Sequence, residues 1–508
     1  MPRVAVSSVS QLAADAGARV ADVGGNAVDA AVAAAFVAAT TAPGMCSLGG
    51  AGFALIAAPG SAPEAFDGGF EMPGRGLPPA RFGGGRRDVH LEYAGGVDTT
   101  VGAGSVATPG ALALLARSSE RHGSLPWAAL VEPAREIADI GFPLPDAAHA
   151  YLTYAHESIF GWNADSHASL HDETGDLLPP GATIRVPHLA ESLAEIGDRG
   201  AEVFYVGRLA EAIAEYVQDG GGLLGPRDLA EYEAVVREPI RSTHGVWDVA
   251  TNPPPAVGGV ALAAMLELML GRAETGWSPG WTRRLARVQE AVLQHRSREL
   301  DASDDLEAAA GELLERAGAG ELPLPGAPST VHTSAVDDGG LACAITLSDG
   351  YGSGAIAPGT GIWLNNTLGE PELNPHGYHG WPPGHRLLSN MAPTVARHPE
   401  GGVLAIGSPG ADRITTALVQ VLVNHLELGM SLQEAIDHPR LHVELTETGP
   451  RVVHEPGIAV GGLERPLRGY EGPSMYFGGV SAARWDPTRG FDLGSDGRRT
   501  GGAAVGGS

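Results

Sequence analysis

The chain has 508 residues, 43% of them hydrophobic and 18% charged, which describes a folded protein too large for one simple core. All 33 basic residues are arginine, set against 60 acidic ones; the net charge of -27, with no basic run or stripe, argues against nucleic acid or an anionic membrane as partner. Two cysteines, Cys46 and Cys343, are too few for a disulfide framework or a Cys-rich metal site.

Met1–Ser8 carries one charge and no apolar run behind it, so no signal peptide is expected, and Ala30–Ala39, the longest apolar stretch, is too short to cross a bilayer. A cytoplasmic location is the expectation. Residues 8–20 read as a helix. Gly24 and Gly25 then turn the chain, and Asn26 caps a second, alanine-rich helix ending near Thr40, apolar almost all round and hence buried. The Gly-rich loop Ser47–Gly52 leads into a strand, Phe53–Ala57; it lacks both GxGxxG and a Walker lysine, so its role is structural. Residues 104–144 read as a strand, a turn at Thr108–Gly110 and two helices, Ala111–His122 and Leu125–Ile140.

Residues 145–215 are mainly helical. Within them Asp165, His167, His171 and Asp172 lie close together, and His167 and His171 have a helix-compatible ligand spacing. Their polar, loop-like surroundings favour a solvated surface, and no metal or cofactor is expected. A helix starts near Pro226, Val246–Thr251 is a strand, and Pro253–Gly259 opens an apolar helix reaching about Leu270; helices fill 280–316.

Residues 317–327 form a Gly/Pro-rich linker. Two strand-like segments follow, Val331–Val336 and Leu341–Leu347, joined by the hairpin turn Asp337-Asp338-Gly339-Gly340. Thr330 therefore stands where an exposed loop enters a sheet. Locally it reads as the first residue of an ordinary strand. If the chain is cut before it, the same residue carries a hydroxyl nucleophile and a free amine that can serve as its base. Residues 348–354 are a loop, Gly361–Asn366 a short strand, and 370–385 a Pro/Gly/His loop long enough to be a lid. Gly407–Asp412 opens a helix running to about Leu428, whose N-terminus suits an anion or an oxyanion. No GxSxG elbow is present, which disfavours a Ser-His-Asp hydrolase.

Several stretches together carry a resemblance: Gly24–Ala33, Leu48–Phe53, Thr108–Gly110, Gly123–Trp127, Asp228–Tyr232, Pro253–Gly259, Gly361–Asn366, Leu388–Thr394 and Gly407–Gly410. In order and spacing the chain resembles, over nearly its whole length, the γ-glutamyltransferase (γ-glutamyltranspeptidase) family of N-terminal nucleophile hydrolases, in a divergent bacterial branch. The resemblance implies an α+β fold, a four-layer αββα sandwich. It implies autocatalytic cleavage between Ser329 and Thr330, leaving segments 1–329 and 330–508 as a tightly packed heterodimer. It implies Thr330 as the nucleophile, accepting an acyl group from a small amide and passing it to water or an amine.

Other positions carry over one by one. Ser348 corresponds to a threonine that supports the nucleophile. Gly410 and Ala411 correspond to the two glycines of the oxyanion hole. Glu370 corresponds to the acid that holds the donor's α-amino group, and Ser389 and Asn390 to two serines that bind its α-carboxylate. Gly350 stands where an asparagine contacts the donor, and Thr367 where a glutamine often sits. Phe70, before Glu71-Met72, stands where the family has its carboxylate-binding arginine, an exchange that removes a strong directional contact. The next arginine, Arg75, is the candidate to reach the site instead. The expectation is thus a self-processing threonine amidohydrolase or acyltransferase for γ-glutamyl compounds. The alternatives are an amidase of the same fold for a non-glutamyl amide, favoured by Phe70, and a non-catalytic binding protein on this scaffold.

Overall fold

The computed structural model describes residues 1–92, 96–269, 276–319, 330–411, 413–446 and 448–507. Two antiparallel sheets form its centre. The first has seven strands in the order Gly502–Gly506, Val4–Ser8, Val331–Asp337, Ala342–Ser348, Ala51–Ala57, Glu64–Gly68 and Val235–Arg237. The second has six, in the order Gly490–Ser495, Ser481–Asp486, Val403–Gly407, Thr394–Arg397, Trp247–Thr251 and Ile240–His244.

Side-chain alternation explains the layering. A strand sends successive residues to opposite faces. Val331, Ala335, Cys343, Ile345 and Leu347 point to one face of the first sheet, where they pack with the helices Gln11–Asp22 and Ala27–Thr41. Val336, Ala342 and Ala344 point to the other face and meet Ala250, Val395, Ala405 and Ala483 of the second sheet. Alanines dominate this middle layer, so the sheets close on each other with little side-chain bulk between them. Leu404 and Ile406 face outward to the helices Val257–Met269, Pro279–His295 and Arg413–Leu426. The order helix, sheet, sheet, helix is the αββα sandwich that the resemblance implied.

Asn26 caps its helix as expected: its side chain accepts from the N–H groups of Val28 and Asp29, and Asp29 returns a bond to the N–H of Asn26 at 2.9 Å. Asp29 also accepts from the Ser124 N–H and hydroxyl. This buried carboxylate thereby ties the helix start to the turn at 123–125.

Three expectations are corrected. Gly361–Asn366 is not a strand; it makes only the isolated bridges Gly49↔Leu364 and Ile356↔Trp363, because Asn365 and Asn366 turn their amides onto neighbouring backbone. The strand expected after Gly104 lies earlier, at Val97–Val101, and Ala103–Ser105 is a 3-10 turn. The helix before the linker runs to Ala319, and the rest of the linker, with Ser329, lies outside the described residues. Cys46 and Cys343 are buried and free.

Candidate active site

Strand register assembles the reactive end. Val331 pairs with Leu347 and His332 with Thr346. Continued by one residue, that register sets Thr330 across from Ser348. Thr330 shares the alternation of His332, Ser334 and Val336, so it looks toward the second sheet rather than into the helical layer. It is only 3% exposed. Ser348 ends its strand, and its Oγ accepts from the Gly350 N–H at 3.1 Å, which holds the turn into the following loop.

The second sheet supplies the opposing wall. Its strand Val403–Gly407 runs into Ser408-Pro409-Gly410-Ala411 and then the helix Arg413–Leu426. Gly410 has φ +125° and Ala411 φ +71°. For Ala411 this left-handed geometry costs about 1 kcal/mol. The turn is clamped from below: a Cβ on Gly410 would lie 2.8 Å from Gly478 Cα, and the Gly479 N–H donates to Ser408 Oγ at 3.2 Å. The carbonyls of Gly410 and Ala411 accept from the N–H groups of Arg413 and Ile414, both at 3.1 Å. Among the described residues the N–H groups of Gly410 and Ala411 meet no acceptor. Two adjacent donors at a helix N-terminus can stabilise developing negative charge.

The residues that the resemblance places at the acyl end stand on loops. Thr367–Gly369 is a 3-10 turn that delivers Glu370 into the interior. Asn366 fixes this turn: its Oδ1 accepts from the Tyr351 N–H at 2.8 Å, and its Nδ2 donates to Thr99 Oγ1 and the Thr100 carbonyl, both at 3.1 Å. Glu370 is 1% exposed, and its Oε2 has no hydrogen-bond partner. Burial first, then the charges of Glu372 and Asp349, push its carboxyl well above the ordinary carboxylate range. Gly350 (φ +70°) is required beside it: a Cβ there would collide with Glu370 Oε1 and Asn366 Oδ1. No asparagine fits at position 350 while Glu370 stays where it is.

Ser389 and Asn390 lie on a segment bridged to Ala256, and the Gly258 N–H donates to the Ser389 carbonyl at 3.1 Å. Ser389 Oγ accepts from the Met391 N–H at 3.2 Å. The glycine of the Pro253–Gly259 stretch is explained here, since a Cβ on Gly258 would collide with the Asn390 carbonyl.

Phe70 is buried among Ala51, Met72, Ala107, Leu368, Trp381 and Leu387. Arg75 does not replace the missing arginine. It pairs with Glu71 at 2.8 Å and Glu231 at 3.2 Å, with Asp228 at 3.6 Å. Glu71 and Asp67 also hold Arg386, at 3.2 and 3.4 Å. No local pattern marks Arg386, because its acidic partners lie more than 300 residues away in the chain. The 370–385 loop is fastened down by His379, whose Nδ1 accepts from the Gly83 N–H and whose Nε2 donates to the Gly104 carbonyl.

The histidine group at 165–172 is an imidazole stack rather than an open polar face. His167 stacks on His171 at 4.1 Å, and His171 Nε2 lies 3.0 Å from His156 Nδ1, a partner absent from the sequence reading.

Comparison with known proteins agrees with this geometry. The gamma-glutamyltranspeptidase family pattern matches residues 13–506. The glutathione hydrolase proenzyme of Escherichia coli is 31% identical over 476 residues, covering 86% of this chain and 80% of that protein. The acylase ACY 1 proenzyme of Pseudomonas sp. strain V22 is 30% identical, over 89% and 85% of the two chains. Among solved structures, the cephalosporin acylase from Bacillus halodurans superposes with a TM-score of 0.79 at 25% identity, over 99% of this chain and 96% of its own. The chain therefore belongs to the γ-glutamyltranspeptidase family and is an amidohydrolase or transferase of the N-terminal nucleophile type, acting on small amides with water or an amine as acceptor.

Proposed function

We propose that the chain cleaves itself before Thr330 and then uses that residue to open γ-glutamyl amides. In the first step the Thr330 hydroxyl adds to the Ser329 carbonyl. The Ser329–Thr330 C–N bond breaks and an ester forms on Oγ, which water hydrolyses, leaving Thr330 with a free α-amine. In turnover that amine takes the hydroxyl proton as Oγ attacks the substrate carbonyl. The Gly410 and Ala411 N–H groups receive the oxyanion, the amine product leaves with the proton, and water or a second amine takes the acyl group from Oγ. Glu370 would receive the donor's α-amino group, regaining its negative charge against the ammonium, with Ser389 and Asn390 beside the α-carboxylate. Thr367 would start the turn that presents the Glu370 carboxyl, and Gly350 would leave it room. Segments 1–329 and 330–508 would stay together as a heterodimer, since strand Val331–Asp337 lies between Val4–Ser8 and Ala342–Ser348.

The observation that carries this reading is the position of Thr330: immediately before its strand, on the alternation that faces the second sheet, and across from Ser348 when the register is continued by one residue. The test is direct. Wild-type protein should run as two fragments, the smaller beginning at Thr330, and Thr330→Ala should remain one inactive chain. Normal cleavage and turnover in Thr330→Ala would sink the assignment.

Phe70 favours a second reading in which the acyl group is not γ-glutamyl and lacks an α-carboxylate. The apolar surroundings of Phe70 and the pairing of Arg75 and Arg386 with carboxylates support it. A donor panel pairing γ-glutamyl anilide with glutaryl and other non-glutamyl anilides separates the two by kcat/KM.

A further inference from the structure

The layer between the sheets is mostly alanine, yet it contains an imidazole with both nitrogens engaged. His332 lies two residues after Thr330 and is 1% exposed. Its Nδ1 is 2.7 Å from Thr346 Oγ1, and its Nε2 is 2.8 Å from Ser334 Oγ. The Ser334 hydroxyl donates to the Ser481 carbonyl at 3.1 Å, so its proton is spent. Ser334 Oγ can then only accept from the ring, which places the proton on Nε2 and leaves Nδ1 to accept from the Thr346 hydroxyl. Burial holds the imidazole pKa down, to about 3, so the ring is neutral at any ordinary pH.

The ring also touches the strand that carries the oxyanion turn. Gly407 lies directly against it: a Cβ there would collide with Cε1, Nδ1 and Nε2. Gly407 is in turn the register partner of Ser481. His332 therefore meets both strands of the nucleophile hairpin, where Thr346 stands two residues before Ser348. It lies directly against the strand Val403–Gly407 of the other sheet, where Gly407 stands three residues before Gly410, and it is linked to Ser481 on the adjacent strand through Ser334.

We propose that His332 is a positioning residue: a neutral, single-tautomer spacer that sets the gap between Thr330 and the Gly410–Ala411 donors. This rests on the reading of Thr330 as nucleophile. A misplacement of 1 Å at a reacting centre costs about 100-fold in rate, so a spacer at this point should govern kcat rather than substrate binding. An ordinary satisfied core histidine would contribute to melting temperature alone.

The test has a spectroscopic arm and a kinetic arm. In wild-type protein carrying 15N-labelled histidine, the His332 ring should show the Nε2–H tautomer, unchanged from pH 5 to pH 9; an Nδ1–H tautomer, or titration in that range, overturns the proposal. In the kinetic arm, His332→Leu and Gly407→Ala should lower kcat about 10- to 100-fold, with KM within about twofold and self-cleavage slowed alongside. His332→Asn, which keeps an acceptor close to the Nδ1 position, should recover part of the loss. Should the leucine variant not fold, Ser334→Ala, which leaves the ring in place and removes its acceptor, should still lower kcat. Variants that melt earlier but keep wild-type kcat per folded molecule would overturn the proposal. Activity surviving in Thr330→Ala would instead overturn the nucleophile assignment, so the two failures are distinguishable.

Discussion

The reactive end of the site and its acyl end are held by different means. Thr330 and Ser348 are placed by strand register, and the Gly410–Ala411 donors by a backbone turn clamped against Gly478. Side-chain identity enters little: serine can stand for threonine at 348 and alanine for glycine at 411 while the same atoms remain available. The acyl end depends on side chains that interlock. Phe70 belongs to an apolar cluster, Arg75 and Arg386 are consumed by carboxylates, and Glu370 lies over Gly350. A backbone-built site tolerates substitution and preserves chemistry. A side-chain-built pocket changes its ligand whenever a few residues change together, which explains how relatives named as glutathione hydrolases and as acylases resemble this chain about equally.

The largest expected effect tests the backbone-built half. Gly410→Ala introduces a Cβ 2.8 Å from Gly478 Cα, at φ +125° where side chains are strained. The turn must shift, and the donors with it. Loss of one oxyanion donor costs about 100- to 1,000-fold in kcat, and that range is expected here with KM little changed. Steady-state kinetics checks it; a kcat within threefold of wild type would mean that the N–H groups at 410 and 411 do not receive the oxyanion.

A second break concerns Asp349, buried next to Ser348, with its carboxyl pushed up to about 7 by burial. In the unfolded chain the same group titrates near 3.9. The folded value is the higher one, so the protonated acid favours the fold. Its contribution is fully present below about pH 4 and is lost as pH rises through about 7. Asp349→Asn should remove that dependence. In an uncleaved Thr330→Ala background, the variant should exceed its parent in urea stability at pH 8 by on the order of 3 kcal/mol, and match it near pH 4. A constant difference across pH would show that Asp349 is not the titrating group.

Gly350→Asn tests the pocket. The new side chain must evict Glu370 or distort the Asn366 turn. If Glu370 binds the donor's amino group, KM for a γ-glutamyl anilide should rise about 10- to 100-fold, the value of one lost hydrogen bond to a charged group at about 1.5–3 kcal/mol, while self-cleavage proceeds. Unchanged KM would remove Glu370 from the donor site.

The same division accounts for what could be read from the sequence. Thr330 and the glycine turn carry local marks, a Gly/Pro linker before a two-residue alternation and glycines ahead of a helix, but their proposed roles came from the resemblance, since locally Thr330 reads as the start of an ordinary strand. The αββα order came from the resemblance rather than from periodicity. Val4–Ser8 was invisible as a strand, since its partners lie more than 300 residues away and Ser7 and Ser8 read as polar ends. In the fold both are buried, Ser7 donating to the Gly494 carbonyl and Ser8 bonding Thr333. Gly361–Asn366 misled because its apolar run suggests a strand, whereas Asn365 and Asn366 use their amides to join separate loops. Arg386, Gly407 and the Phe70 cluster are long-range facts without a local mark.

The smallest predicted effect is the most discriminating about how the donor pair is built. Ala411 holds φ +71°, so Ala411→Gly relieves about 1 kcal/mol of backbone strain. Glycine's greater freedom in the unfolded chain returns roughly 0.4–1 kcal/mol of that. Stability should therefore stay level or rise by no more than about 0.5 kcal/mol, with kcat and KM unchanged, because the N–H proposed to receive the oxyanion is the same in both residues. Set beside Gly410→Ala, this gives two neighbouring exchanges between the same two amino acids with opposite outcomes: a large kinetic loss at 410 and kinetic silence at 411. A kinetic loss in Ala411→Gly would mean that the Ala411 methyl group, and not only its backbone, shapes the site, and the reactive end would then share the side-chain dependence of the acyl pocket.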